Sequence, residues 1–334
     1  MREKVRFFDL LRCMAAIAVV VIHVLGPYRN QLGMIPDSGW IAAITFNSLS
    51  RWAVPVFIMI TGALMLTDQR PFQLGYYVKR RLGKVLLPFL VWSCFYAGLS
   101  GLTASGYNGQ EALDVLSHLP THETYYHLGF FYYFIPLYFV VPFLRYFVLH
   151  YDRTAVVSLT GIWLILTALF LFKVDGPWSQ ELVLYSGYLL LGYCLFQFQW
   201  PSLRWLLILG GIGLVLTDYM VLSRSLDNGE YTVGRWLSYK TLNTALIAAM
   251  VFSLGRYVVM RMSESWLDRV AFMSRYSLGI YLLHPIFLWP VRAYDLYFLP
   301  PVLMIPLWTV VITVLALMAS WLLAKSPKTA WLVP

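Results

Sequence analysis

The chain has 334 residues, of which 60% are hydrophobic, 17% aromatic and only 12% charged, with a mean hydropathy of +0.67. A soluble globular protein carries about 25% charged residues, so this chain cannot cover a water-facing surface. Disorder, coiled coil and a disulfide scaffold are excluded by the same numbers, which leaves a polytopic membrane protein whose net charge of +9 is first to be tested against topology.

A bilayer core of roughly 30 Å needs about 20 apolar residues per helix. Apolar runs predict ten spans, near 7–27, 40–66, 84–104, 126–147, 154–173, 181–199, 203–222, 236–255, 272–291 and 298–324. The expected fold class is therefore all-α, a transmembrane helical bundle in which residues 1–334 form a single membrane domain with no soluble domain. The longest connection, 105–125, is too short for one. With the N-terminus inside, 17 Lys and Arg residues fall on inner segments, 5 on outer loops, and Arg12, Arg51 and Lys240 within spans. That asymmetry predicts both termini cytoplasmic, and nucleic-acid binding is not needed to explain the charge. Cys13, Cys94 and Cys194 lie inside apolar runs and read as small packing residues rather than a disulfide framework.

Ionisable side chains inside a span point to function by default. The first span carries Asp9, Arg12 and His23. Asp9 and Arg12, three apart, can pair on one face. Arg12 and His23 are eleven positions apart, which returns to nearly the same face about 16 Å further along. The second span carries Arg51 ahead of Pro55, which predicts a freed carbonyl facing a cavity unless Arg51 snorkels outward. Lys79, Arg80, Arg81 and Lys84 precede the third span. Four cations at a helix entrance suit a phosphorylated ligand, anionic lipid, or simple topology. His127 opens the fourth span beside Tyr125 and Tyr126, at an outer entrance or as a headgroup anchor. In the ninth, Tyr281 and His284 share a face and Pro285 predicts a break. His118 and His122 flank Pro120, which argues against a helical metal pair, and no metal is expected.

Taken in order, these pieces resemble the acyltransferase 3 family of integral-membrane acyltransferases over essentially the whole chain. The carriers are Arg12-x10-His23; Arg51 with Val54-Pro55-Val56-Phe57 and Thr61-Gly62; Lys79-Arg80-Arg81-Leu82-Gly83-Lys84 with Pro88; Tyr125-Tyr126-His127-Leu128-Gly129; and Tyr276 to Pro285. Lys84 stands where the family often has Arg, and Gly129 where it usually has Trp. The resemblance implies transfer of an acetyl or succinyl group from cytoplasmic acyl-CoA, with acetyl-CoA the donor. The acceptor would be a hydroxyl of a surface polysaccharide or its lipid-linked precursor, at a bacterial inner membrane. On that reading Lys79, Arg80, Arg81 and Lys84 meet the donor's phosphates. The thioester arm passes Arg12, and His23 takes the hydroxyl proton or, by a covalent route, carries the acyl group itself. Arg51, Tyr281 or His284 would stabilise the oxyanion, and His127 would line the acceptor side. A proton-coupled carrier and a non-catalytic subunit of a glycan synthesis complex are the alternatives.

Overall fold

A computed structural model of the chain describes residues 6–198 and 201–334. In chain order the helices are α1 (Arg6–Val24), α2 (Asp37–Ser50), α3 (Ala53–Leu66), α4 (Leu74–Tyr77), α5 (Gly83–Ser100), α6 (Gly109–Ser117), α7 (Gly129–His150), α8 (Arg153–Leu171), α9 (Glu181–Gln197), α10 (Leu203–Asn228), α11 (Leu242–Val259), α12 (Glu264–Ser274), α13 (Ser277–Ala293) and α14 (Pro301–Ala324). The one sheet among the described residues is a hairpin of β1 (Leu102–Thr103) and β2 (Gly106–Tyr107), antiparallel with Leu102 opposite Tyr107. The protein is an all-α helical bundle.

Apart from Arg6, Asp9, Arg12 and His23, helix α1 is made of apolar residues, and most of them are buried. It packs against α2, α3, α11, α12, α13 and α14, which makes it the axis of the bundle. Around it, α7, α8, α10 and α14 turn large apolar side chains outward. Phe139, Phe143, Ile162, Ile165, Val215 and Val310 are all exposed, the arrangement that lipid, not water, satisfies. Cys13 and Cys194 are buried, and Cys94 faces out.

Among the described residues, eight helical stretches are long and apolar enough to cross a membrane. The other two of the ten expected spans, 181–199 and 272–291, are helices of 17 residues, α9 and α13. Seventeen residues is at the short end of the length that crosses a bilayer, and both helices pack against several neighbours. The apolar second span is continuous in sequence but broken in structure, with Arg51 and Trp52 forming a turn between α2 and α3. Pro55 therefore sits in the first turn of α3, where its missing N–H is not needed. The third span starts earlier than expected. Helical backbone runs from Leu74 to Ser100, through a π-helical turn at Val78–Leu82, so the four cations lie on helix rather than in a loop. Lys240, expected inside the eighth span, lies in the turn before α11 and bonds Glu181 at 3.3 Å.

The closest helix contact is between α3 and α9. A Cβ on Gly62 would lie 2.1 Å from the Leu189 carbonyl oxygen, and one on Gly192 2.1 Å from that of Met59. Two glycines facing opposite backbones let the helices touch, as small residues do in membranes. This contact carries Glu181 and Tyr185 to one end of the bundle. Gly192→Val should therefore force α3 and α9 apart at a cost of about 1–3 kcal/mol. A thermal unfolding curve of the detergent-solubilised variant should show a lowered midpoint, and an unchanged midpoint would contradict the contact.

Candidate active site

Two cavities enter the bundle along α1. One, of about 890 Å³, opens at the end where α1 terminates and is lined by His23, Arg29, Arg51, His127, Tyr281 and Arg292 among others. The second, of about 400 Å³, lies toward the other end and is lined by Asp9, Arg12, Thr61, Ser274 and Tyr138. Phe130 and Tyr281 line both. Arg12 and His23, on one stripe of one helix, thus belong to two chambers that share a wall of two aromatic rings.

His23 is held by a chain of hydrogen bonds that starts at a proline. Pro285 has no N–H, so the carbonyl of Tyr281, four residues earlier, lacks its helical donor. The helix does not break there, contrary to the expectation from sequence; α13 runs on to Ala293. The His284 ring fills the gap, its Nδ1 lying 2.7 Å from the Tyr281 carbonyl and 3.2 Å from that of Ile280. Carbonyls only accept, so His284 Nδ1 carries the proton, and Nε2 of the neutral ring is an acceptor. That Nε2 is 2.7 Å from His23 Nδ1, which must then be the donor. His23 Nε2 is left with a free lone pair, on a side chain that lines the larger cavity. The two imidazoles lie nearly parallel, 10° apart, and Tyr126 meets His23 edge-on at 4.8 Å between centroids. His284, with none of its surface exposed, stands behind His23 and does not line the cavity.

The end of α1 is tied down by three side chains from outside it. A helix leaves its last carbonyls without partners. Here Arg29 Nη2 donates to the Ile22 carbonyl at 2.8 Å, Arg292 Nη2 to that of His23 at 2.5 Å, and the Tyr297 hydroxyl to that of Val24 at 3.2 Å. Cations at a helix C-terminus are also favoured by its dipole. Both arginines thereby enter the cavity beside the imidazole; from sequence they count only among the five outer-loop cations. Their only signal was an arginine within a turn of a span's end.

The other expected residues are placed as follows. Arg51 lines the same cavity, with Nε donating to the Leu237 carbonyl at 2.9 Å and Nη1 to the Tyr239 hydroxyl at 3.1 Å. It faces the cavity and its partners rather than snorkelling. His127 is buried just before α7, and its carbonyl accepts from the Tyr281 hydroxyl. Arg12 pairs with Asp9 at 3.5 Å, and Ser274 donates to Asp9 at 2.7 Å. The four cations divide. Lys79, Arg80 and Lys84 are exposed, whereas Arg81 is half-buried. It lines a third cavity, of about 290 Å³, with Arg70, Arg145 and Asp68. Arg145 Nε donates to the Asp68 carbonyl at 2.7 Å. Arg70 and Arg145 were not singled out from sequence. His118 and His122 are exposed and lie in the turns that follow α6.

A family model described as an acyltransferase domain, that of the acyltransferase 3 family, matches residues 5–325. No curated protein and no solved structure shows a significant match to the chain.

The hydrogen-bond chain predicts one tautomer for each ring. Nitrogen-15 spectra of the histidine side chains should show both His23 and His284 protonated at Nδ1. A proton on His284 Nε2 would break the chain and contradict the arrangement.

Proposed function

The chain belongs to the acyltransferase 3 family and is a multi-pass membrane acyltransferase; from that premise we propose that it moves an acetyl or succinyl group from cytoplasmic acyl-CoA to a hydroxyl of a glycan or its lipid-linked precursor, with His23 as the general base. The observation that carries the reading is the pair of chambers that meet at the Phe130–Tyr281 wall, with a free imidazole nitrogen on one side and the Asp9–Arg12 pair on the other.

The donor's phosphates meet the basic face formed by Lys79, Arg80, Arg81 and Lys84, to which Arg70 and Arg145 add two guanidinium groups at the Arg81 cavity. A guanidinium offers phosphate a planar fork. The pantetheine arm enters the Arg12 chamber and passes between Phe130 and Tyr281. The acceptor occupies the larger chamber, whose volume falls in the range of ligand sites. Tyr126, Tyr132, Tyr133, Tyr239 and Tyr297 line it and present both flat apolar faces and hydroxyls to a sugar.

At the junction the acceptor hydroxyl gives its proton to His23 Nε2 as its oxygen attacks the thioester carbonyl. The new C–O bond forms, the carbonyl π bond opens to an oxyanion, and Arg51 on the cavity wall offers positive charge to it. When the oxyanion collapses, the C–S bond breaks. The CoA sulfur leaves with the proton from His23, so the imidazole returns to its starting state. His284 acts through His23. Its Nε2 accepts from Nδ1 throughout, fixing the tautomer and stabilising the imidazolium, as an orienting group does in other acid–base relays. Asp9 holds Arg12, and Arg12 positions the donor arm.

Purified protein in liposomes, given radiolabelled acetyl-CoA and a polysaccharide acceptor, should yield labelled acceptor. General base catalysis contributes about 10²–10⁴-fold. His23→Ala should lose transfer on that scale while still binding CoA. His284→Ala should lower kcat more than it raises KM. A triple Glu substitution at Arg80, Arg81 and Lys84 should weaken CoA binding in a salt-dependent way. Solute uptake without use of CoA would indicate a carrier instead, and a folded His23→Ala protein with undiminished transfer would remove His23 from the mechanism.

A further inference from the structure

The larger chamber is built around three arginines that the transfer step does not require in that number. Arg29, Arg51 and Arg292 all line it, from the segment after α1, the α2–α3 turn and the end of α13. Each spends one or two N–H groups on carbonyls or a tyrosine hydroxyl. Among the described residues none of the three has a carboxylate within 4.0 Å. Arg29 Nε and Arg292 Nε are buried without a partner. Burial above all pushes the Arg29 guanidinium down from its ordinary value; Tyr231 and Tyr239 oppose the shift, and the charges of Arg51 and Arg292 add to it.

Three carboxylates also line the chamber, and their placement differs. Glu123, Glu181 and Asp295 are exposed, whereas Arg29, Arg51 and Arg292 are half-buried. Glu181 is already bonded to Lys240. The acids therefore ring the solvent-facing mouth, where water and salt screen them, and the cations occupy the interior, where their field is least screened. Unpaired half-buried guanidiniums are costly unless an anion joins them. They sit beside the reacting centre, because Arg292 holds the carbonyl of His23 itself.

Building on the acyl-transfer reading, we propose that the acceptor is an anionic sugar, whose carboxylate or phosphate binds among Arg29, Arg51 and Arg292 and so sets the hydroxyl that faces His23. A guanidinium fork matches either oxyanion. The charge then serves as a register pin. An acceptor held by its anion presents one hydroxyl to Nε2, while a neutral sugar slides between poses.

The test is binding of glucose, glucuronate and glucose 1-phosphate to the full-length protein in nanodiscs of phosphatidylcholine, by calorimetry, without acyl-CoA. At least one charged sugar should bind about tenfold or more tightly than glucose, the equivalent of about 1.4 kcal/mol, and the ratio should shrink as salt rises. Preference for glucuronate identifies an acidic sugar as the acceptor, and preference for glucose 1-phosphate a glycosyl phosphate. Arg51→Gln should erase the preference, and Arg51→Lys should keep part of it. If these variants do not fold, the wild-type ratio and its salt dependence decide. Equal binding of the three sugars, or binding by none, overturns the proposal. Because no donor is present, a failed transfer assay leaves this result readable. Efficient transfer to a neutral acceptor with a flat binding ratio would keep the acyltransferase reading and sink this one.

Discussion

The hydrogen bond between His23 and His284 is the constraint on which the site depends. It joins the bundle's central helix to α13 across 2.7 Å, and it exists because Pro285 leaves the Tyr281 carbonyl without a backbone donor. A carbonyl freed of its backbone donor is the better acceptor, and its 2.7 Å bond fixes the tautomer that His284 passes on. A proline that removes one backbone bond therefore determines which nitrogen of a different helix faces the cavity. Burying two imidazoles in a membrane protein is expensive unless both are bonded, and this chain of bonds meets that requirement while leaving one lone pair free.

The rest of the architecture serves to hold that lone pair between two entrances. The α3–α9 contact, made possible by Gly62 and Gly192, brings Tyr185 and Glu181 to the same end of the bundle as the α1 terminus. Arg29, Arg292 and Tyr297 anchor that terminus, so the backbone of His23 is fixed as firmly as its ring. Phe130 and Tyr281 line both the chamber of His23 and that of Arg12.

Much of this was legible in the sequence, because local spacing carried it. Asp9, Arg12 and His23 lie on one helix, and their relation follows from helical geometry alone. Tyr281, His284 and Pro285 form another local pattern, although Pro285 was expected to end the helix rather than to free a carbonyl for His284. What could not be read was convergence from distant segments. Arg29 and Arg292 had a sufficient explanation as loop charges, and nothing in their neighbourhoods says that α13 packs beside α1. The same holds for Arg70 and Arg145, which meet only because α7 returns beside the turn after α3. Arg51 and Lys240 were both placed inside spans because apolar periodicity does not see a two-residue turn or the few residues that precede a helix. The count of spans was blurred at α9 and α13, whose 17 residues are at the short end of the length that crosses a bilayer.

The central claim is that donor and acceptor reach one imidazole from opposite ends of the bundle. Vesicles containing protein of a single orientation test it most directly. Acyl-CoA, which does not cross a bilayer, is supplied only on the side of the Arg81 cavity, and an acceptor too large to cross is supplied only on the side of the Arg292 chamber. The account predicts transfer in that arrangement and none when the two substrates are exchanged. Transfer that requires both substrates on the same side would contradict it.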